Sequence, residues 1–287
     1  MKVQFSQGET HTDPSERDIP VSIRARIKSK VLATAAALAL IGGTGIAGVL
    51  GSATAANAGT PSCGIACIDV FSFQFGQHHD PVFLLDTFQQ KHAVGTPIIL
   101  YRASNNDPAE DFSPSLQGTV ADFYAAGLVS SALALHYGCV VGTAAFEFPV
   151  CTSPVALDDW AFELQYAPDG VDSGLCVGLA DTAVSGEGVT LQDCGVSSRT
   201  VWVIDQADSS TGRLSPVLYE YVPLINGSDT NFSQPFVLTY PQSGYPTDKP
   251  RPQLLVDNLS GYTQPGDDDP AGVDGNQLFG ADWGPLP

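Results

Sequence analysis

Apolar and polar positions alternate in short runs along most of this chain, and the runs recur in a fixed order. Between Trp160 and Asp205 they fall at 161–166, 175–180, 189–194 and 200–204, separated by turn-forming stretches such as Ser185-Gly-Glu-Gly188. Runs of five or six residues, bounded by Gly, Asp and Ser, predict strands rather than helices. Cys176 and Cys194 stand at the start of one run and the end of another, as a disulfide between neighbouring strands requires.

The same order appears twice more. An earlier copy runs through 73–75, 82–86, a loop with Gly95-Thr96, 97–101, a polar turn at 104–108 and then Glu110-Asp111-Phe112. A later copy runs through 218–224, Asn226-Gly-Ser228, 235–240, a Pro-rich loop at 246–252, 253–256 and 276–279. One such unit cannot bury a face alone, so three stacked around a shared core are expected. The repeats are placed at about 67–112, 160–205 and 218–283, with an insert at about 113–159 between the first two. Gly127, Gly138 and the β-branched residues of the insert predict a strand or hairpin there. Cys139 and Cys151 would staple it around Phe146 and Phe148.

The first sixty residues follow another pattern. A polar start ends in the basic segment Arg24-Ala-Arg-Ile-Lys-Ser-Lys30; an uncharged run at 31–50 and the small-residue site Ala56-Asn57-Ala58 follow. That order describes an export signal at 1–58 with a long basic region, leaving 59–287 as one mature domain. The alternative is a membrane anchor through residues 31–50. Without the leader, no membrane association is expected.

Charge and cysteines agree with export. The 287 residues carry 31 acids and 12 Lys or Arg, a net −19. Six of those bases and four of those acids lie in the first thirty positions, so the remainder holds 27 acids against 6 bases, or −21. Such a surface repels phosphate backbones and anionic lipid, which excludes nucleic acid as a partner class. The six cysteines all follow the leader and suit an oxidising destination. They allow fifteen pairings; pairing neighbours, Cys63 with Cys67, Cys139 with Cys151 and Cys176 with Cys194, is the simplest.

The middle repeat resembles those of the ricin-B-type lectins, in which Cys-Leu-Asp, a strand with a second Cys, and Gln-x-Trp recur. Cys176-Val-Gly178, Val189-Thr-Leu-Gln-Asp-Cys194 and Thr200-Val-Trp202 stand at those places, with fainter echoes at Leu84-Leu-Asp86, Glu110-Asp-Phe112 and Gln277-Leu-Phe279. The resemblance implies an all-β chain folded as a β-trefoil of three pseudo-repeats. It further implies that a sugar site needs a carboxylate for vicinal hydroxyls, an aromatic ring for the apolar sugar face, and Asn or Gln to fix orientation. The first repeat keeps Asp86 and Tyr101, with Ile99 and Ala109 where Gln and Asn are expected. The second has Gly178 and Gln192 at the acid and aromatic places. The third has Thr239 for the acid but keeps Asn276 and Gln277. Asp86, Tyr101, Asn276 and Gln277 are therefore the candidate ligand-binding residues.

Other chemistry finds less support. His78-His79-Asp80 could ligate a metal, but adjacent residues of a strand face opposite ways. The acidic stretch at 266–274 lacks the regular spacing and closing Glu of a calcium loop. No metal ligand set and no cofactor are assigned. Lys249 and Arg251 concentrate charge on the Pro-rich loop, a contact point for an acidic partner. The chain holds no G-x-S-x-G, H-E-x-x-H or phosphate-loop motif, so no catalytic residues are assigned. The expectation is a secreted, non-catalytic module that binds glycan or an extracellular protein. The alternative is a secreted hydrolase inhibitor or a subunit of an extracellular assembly.

Overall fold

The computed structural model describes residues 67–75, 83–104, 107–140, 150–151, 160–204, 221–231, 233–241, 246–247, 251–261 and 273–283. The leader, Cys63, His78-His79-Asp80 and most of the acidic stretch at 266–274 lie outside them.

Six strands close a ring. β1 (Ile68–Ser72) pairs with β4 (Phe112–Thr119), and β4 with β7 (Trp160–Tyr166). β7 pairs with β10 (Val201–Ile204), and β10 with β11 (Leu224–Asn226). The bridge between Val222 and Phe279 joins that edge to β14 (Phe279–Trp283), which pairs back onto β1. Every pairing is antiparallel, and closure leaves the barrel without a free edge.

Three hairpins cap one end. They are β2 (Phe83–Thr87) with β3 (Ile98–Arg102), β8 (Leu175–Leu179) with β9 (Val189–Asp193), and β12 (Phe236–Thr239) with β13 (Leu255–Asn258). Bridges Pro97 to Thr190, Gly188 to Leu255 and Gln253 to Ile99 link each hairpin to the next around a pseudo-threefold axis. A six-stranded barrel with three cyclically linked hairpins is a β-trefoil, as the repeats imply.

Alternation decides what each strand buries. In β10, Trp202 faces the barrel core with Phe112 and Phe279, while Val201 and Val203 face outward. Those outward positions are covered by the insert, so this side of the barrel is buried on both faces. Trp202 is 1% exposed, and its indole N–H donates to Val177 O at 2.9 Å, giving its one polar atom a partner.

The insert is helical, not the strand or hairpin expected. It holds α1 (Val120–Ala125) and α2 (Ser131–His136), and only then a short pair, β5 (Cys139–Val140) and β6 (Val150–Cys151). Thr119 and Asp122 form a reciprocal capping box at the start of α1, and Ser130 caps α2. Gly127 and Gly138 take positive φ just past the two helix ends, where they stop helices rather than prevent them. The N–H groups of Gly127 and Leu128 close back on Tyr124 O and Phe123 O, a Schellman pair. Two boundaries in the first repeat also shift. Strand β1 ends at Ser72 and Phe73–Phe75 turn away, because the register with β14 runs only from Ile68 to Ser72. Strand β4 continues from Phe112 to Thr119 under the insert.

Two disulfides join neighbours as expected, Cys139 to Cys151 across β5–β6 and Cys176 to Cys194 in the second repeat. Cys67 is also disulfide-bonded. No helix among the described residues is long and apolar enough to cross a membrane.

Candidate functional site

Beside each cap hairpin the threefold axis repeats one arrangement. Asp86, Gly178 and Thr239 follow the core residues Leu85, Val177 and Leu238, opposite Ile99, Thr190 and Leu255. Glu110, Thr200 and Gln277 stand two residues before the core aromatics Phe112, Trp202 and Phe279. A backbone N–H two residues past each hairpin, at Ser104, Gly195 and Ser260, needs an acceptor there.

The third repeat meets that need with an amide. Gln277 Oε1 accepts from Ser260 N at 2.7 Å, while its Nε2 donates to Thr239 Oγ1 at 3.2 Å and to Asn258 O at 2.8 Å. Asn276 Nδ2 donates to Tyr240 O at 2.7 Å. Both side chains are buried. Asn276 and Gln277, named from the sequence as ligand-binding residues, thus lie together but hold the fold at the place a ligand would need.

The second repeat meets it with a borrowed acid. Thr200 is too short to reach, and Glu163 on β7 accepts instead from Gly195 N at 2.7 Å and Thr200 Oγ1 at 2.6 Å. A Cβ at Gly178 would lie 2.8 Å from Arg199 O and 2.9 Å from Thr200 Cγ2. No acid fits there, so this repeat is closed as a site.

The first repeat is different. Asp86 and Tyr101, named from the sequence, line one pocket of about 250 Å³ together with Gln89, Gln90, Asp107 and Arg251. Glu110 lies behind it, 3% exposed, with Oε2 accepting from Ser104 N at 3.2 Å. Asp107 caps the turn that carries Glu110, accepting from Ala109 N and Gln90 Nε2, each at 3.0 Å. Gln89 and Gln90 hold φ of 60° and 54°, two of three non-glycine positive values among the described residues. Strained backbone concentrated at one pocket is a mark of functional loops. The Arg251 guanidinium sits 4.1 Å from the centre of the Tyr101 ring, covering one face with a donor-rich cation. The basic loop read as a contact for an acidic partner therefore turns its Arg251 inward to this pocket.

Burial sets the electrostatics. Asp86 is pushed up to about 7, first by desolvation and then by Asp107, with Arg251 pulling the other way. Glu110 is pushed up to about 9, again chiefly by burial, partly offset by the Ser104 N–H and reinforced by the carboxyls of Asp107, Asp86 and Asp69. The pocket therefore offers an acceptor at Asp86, an aromatic edge, the amides of Gln89 and Gln90 and a guanidinium. These are the groups that bind polyhydroxylated ligands. The barrel holds another cavity of about 250 Å³, lined by Val70, Leu164 and Trp202 among others, with no charged side chain to orient a ligand.

No protein-family model and no curated protein sequence matches the chain. Among solved structures, the chain is similar to the designed 3-fold symmetric protein ThreeFoil. That match has 11% identity and a TM-score of 0.41, over 75% of this chain and 97% of the other. It is also similar to the agglutinin from Abrus precatorius, at 10% identity and a TM-score of 0.23, over 75% of this chain and 95% of the other. The β-trefoil assignment rests on the closed ring and linked hairpins, not on these likenesses.

Sequence reasoning missed Glu110 and Asp107, and it placed Arg251 on an outward contact loop rather than in this pocket. Glu110 had a readable signal: it is an acid in Glu110-Asp111-Phe112 where the third repeat has Gln277-Leu278-Phe279. Arg251 had none, because it arrives from another repeat across the threefold axis.

Proposed function

We propose that the protein is a secreted, non-catalytic carbohydrate-binding module of the ricin-B type, with one working site, in the first repeat. The observation that carries this reading is that Asp86 and Tyr101 share a pocket while the equivalent places in the other repeats are closed by Thr200 and by Gln277. A sugar diol hydrogen-bonds to the Asp86 carboxylate, and Arg251, Gln89 and Gln90 supply donors that fix its orientation. Residues 1–58 act as the export leader and 59–287 as the mature domain. The disulfides of the insert and of the second repeat suit the oxidising compartment this requires.

A glycan array with the wild type, Asp86→Ala and Tyr101→Ala tests the reading. Binding by the wild type that both substitutions abolish supports it. Glycan binding that survives both removes this pocket as the site. Failure to bind any glycan turns the search to an extracellular protein partner, the inhibitor or assembly reading.

A further inference from the structure

We propose that Asp86, Asp107 and Glu110 form a binding site for one divalent cation of the calcium class. One carboxylate oxygen from each residue lies within 4.8 Å of the other two. That equals the span of two ligands on one ion at a calcium–oxygen bond length of about 2.4 Å.

The trefoil frame does not demand an acid behind this pocket. Thr200 and Gln277 occupy the Glu110 place in the other repeats, and the amide of Gln277 satisfies every contact there. Glu110 does not: its Oε1 is buried with no hydrogen-bond partner. In the third repeat the atom at that place, Gln277 Nε2, points at Thr239, the equivalent of Asp86. Oε1 of Glu110 takes the place of that Nε2 in the first repeat, where Asp86 replaces Thr239 and a carboxyl oxygen of each residue lies within 4.8 Å of the other. Such a pair is unfavourable unless a cation or a proton lies between.

Charge and ligand type point to the same ion. Fully ionised, the three carboxyls and the guanidinium of Arg251 sum to two negative charges, which one divalent cation neutralises. The ligands are all hard oxygens, with no His or Cys, which suits calcium or magnesium rather than zinc. Asp107 is already held by Gln90, Ala109 and Ser104, so little order remains to be gained on binding. The open pocket leaves room for the water or hydroxyl ligands that complete a calcium shell.

The test uses the full secreted chain, stripped with EDTA, dialysed and titrated calorimetrically with calcium chloride alone. One calcium per chain is expected, with a rise in the thermal midpoint. Glu110→Gln installs the amide that the third repeat already uses, so it keeps the fold while lowering calcium affinity by at least about tenfold. Asp86→Thr combined with Glu110→Gln copies the third repeat at both of these places and should abolish binding. No uptake by the wild type at millimolar calcium overturns the proposal. So does unchanged affinity in the folded variants, since the ion then sits elsewhere, the stretch at 266–274 included. The site does not depend on the glycan reading. Calcium uptake with an empty glycan array keeps this inference and removes the other, and glycan binding without calcium uptake does the reverse.

Discussion

Glu110 holds in the first repeat the place that Gln277 holds in the third: each accepts from the backbone N–H two residues past its hairpin, Ser104 at 3.2 Å and Ser260 at 2.7 Å. The amide also has two acceptors for its N–H groups, while the second oxygen of Glu110 has no partner. An unsatisfied buried polar atom costs about 1–3 kcal/mol. Glu110→Gln, measured by urea unfolding in EDTA, should therefore be more stable than the wild type by roughly that amount. A destabilised variant would show that the acid contributes something to the apo fold that the amide cannot.

Gly178 lies where Asp86 lies, and restoring the acid there should fail. The new Cβ would press on Arg199 O and on Thr200, of which the first is backbone that cannot swing aside. Gly178→Asp is expected to lose about 1–3 kcal/mol by overpacking and to create no second ligand site. A folded Gly178→Asp protein with a doubled glycan stoichiometry would contradict the geometry of the second repeat.

How much of this was legible in the sequence differs by element. Strands β8, β9 and β10 stood out because alternation, a bracketing cysteine pair and Trp202 all marked the same unit. The insert reads as strand in the sequence because Gly127 and Gly138 look like breaks in a helical pattern, whereas in the fold they terminate one. The signal lay in Thr119-Val-Ala-Asp122, a capping box whose reciprocal bonds start α1. The pairing of Asp86 with Tyr101 followed from aligning the repeats, since Leu84 and Tyr101 face each other across one hairpin. What surrounds the pair did not. Arg251 reaches Tyr101 only because the Gln253–Ile99 bridge brings the third hairpin against the first, and no local pattern encodes a contact 150 residues away.

Asp229 gives the fold a pH dependence of its own. It lies between β11 and β12, 2% exposed, and its two oxygens accept from Asn231 N and Phe236 N, each at 2.7 Å. Burial outweighs those bonds and lifts it from 3.8 to about 6. A carboxyl whose folded value lies above its unfolded one binds its proton more tightly in the folded state. Its contribution is complete below 3.8 and is lost as pH rises through about 6. A shift of about two units corresponds to about 3 kcal/mol. The stability difference between wild type and Asp229→Asn, followed by urea unfolding from pH 4 to pH 7, should move against the wild type by up to that amount. A difference that stays constant across the range would show that the backbone donors fully offset burial at this group.

Glu163 is the test of whether the three repeats solve one structural problem. It belongs to a barrel strand, yet it does for Gly195 what Gln277 does for Ser260, and Thr200 reaches it with a hydroxyl rather than replacing it. Its side chain is fully buried, so both bonds are made away from bulk solvent. Glu163→Ala removes the acceptor of Gly195 N, while the Thr200 hydroxyl keeps Ser197 O at 3.1 Å, so the expected loss is about 1–3 kcal/mol. Glu163→Gln keeps an acceptor oxygen and should lose less. Because the damage falls in the closed second repeat, binding at the Asp86 pocket should be unchanged in whatever fraction of either variant is folded. Equal losses for Ala and Gln would mean that the negative charge, rather than the acceptor, holds this corner of the cap. Comparing the two variants by urea unfolding at neutral pH separates these outcomes.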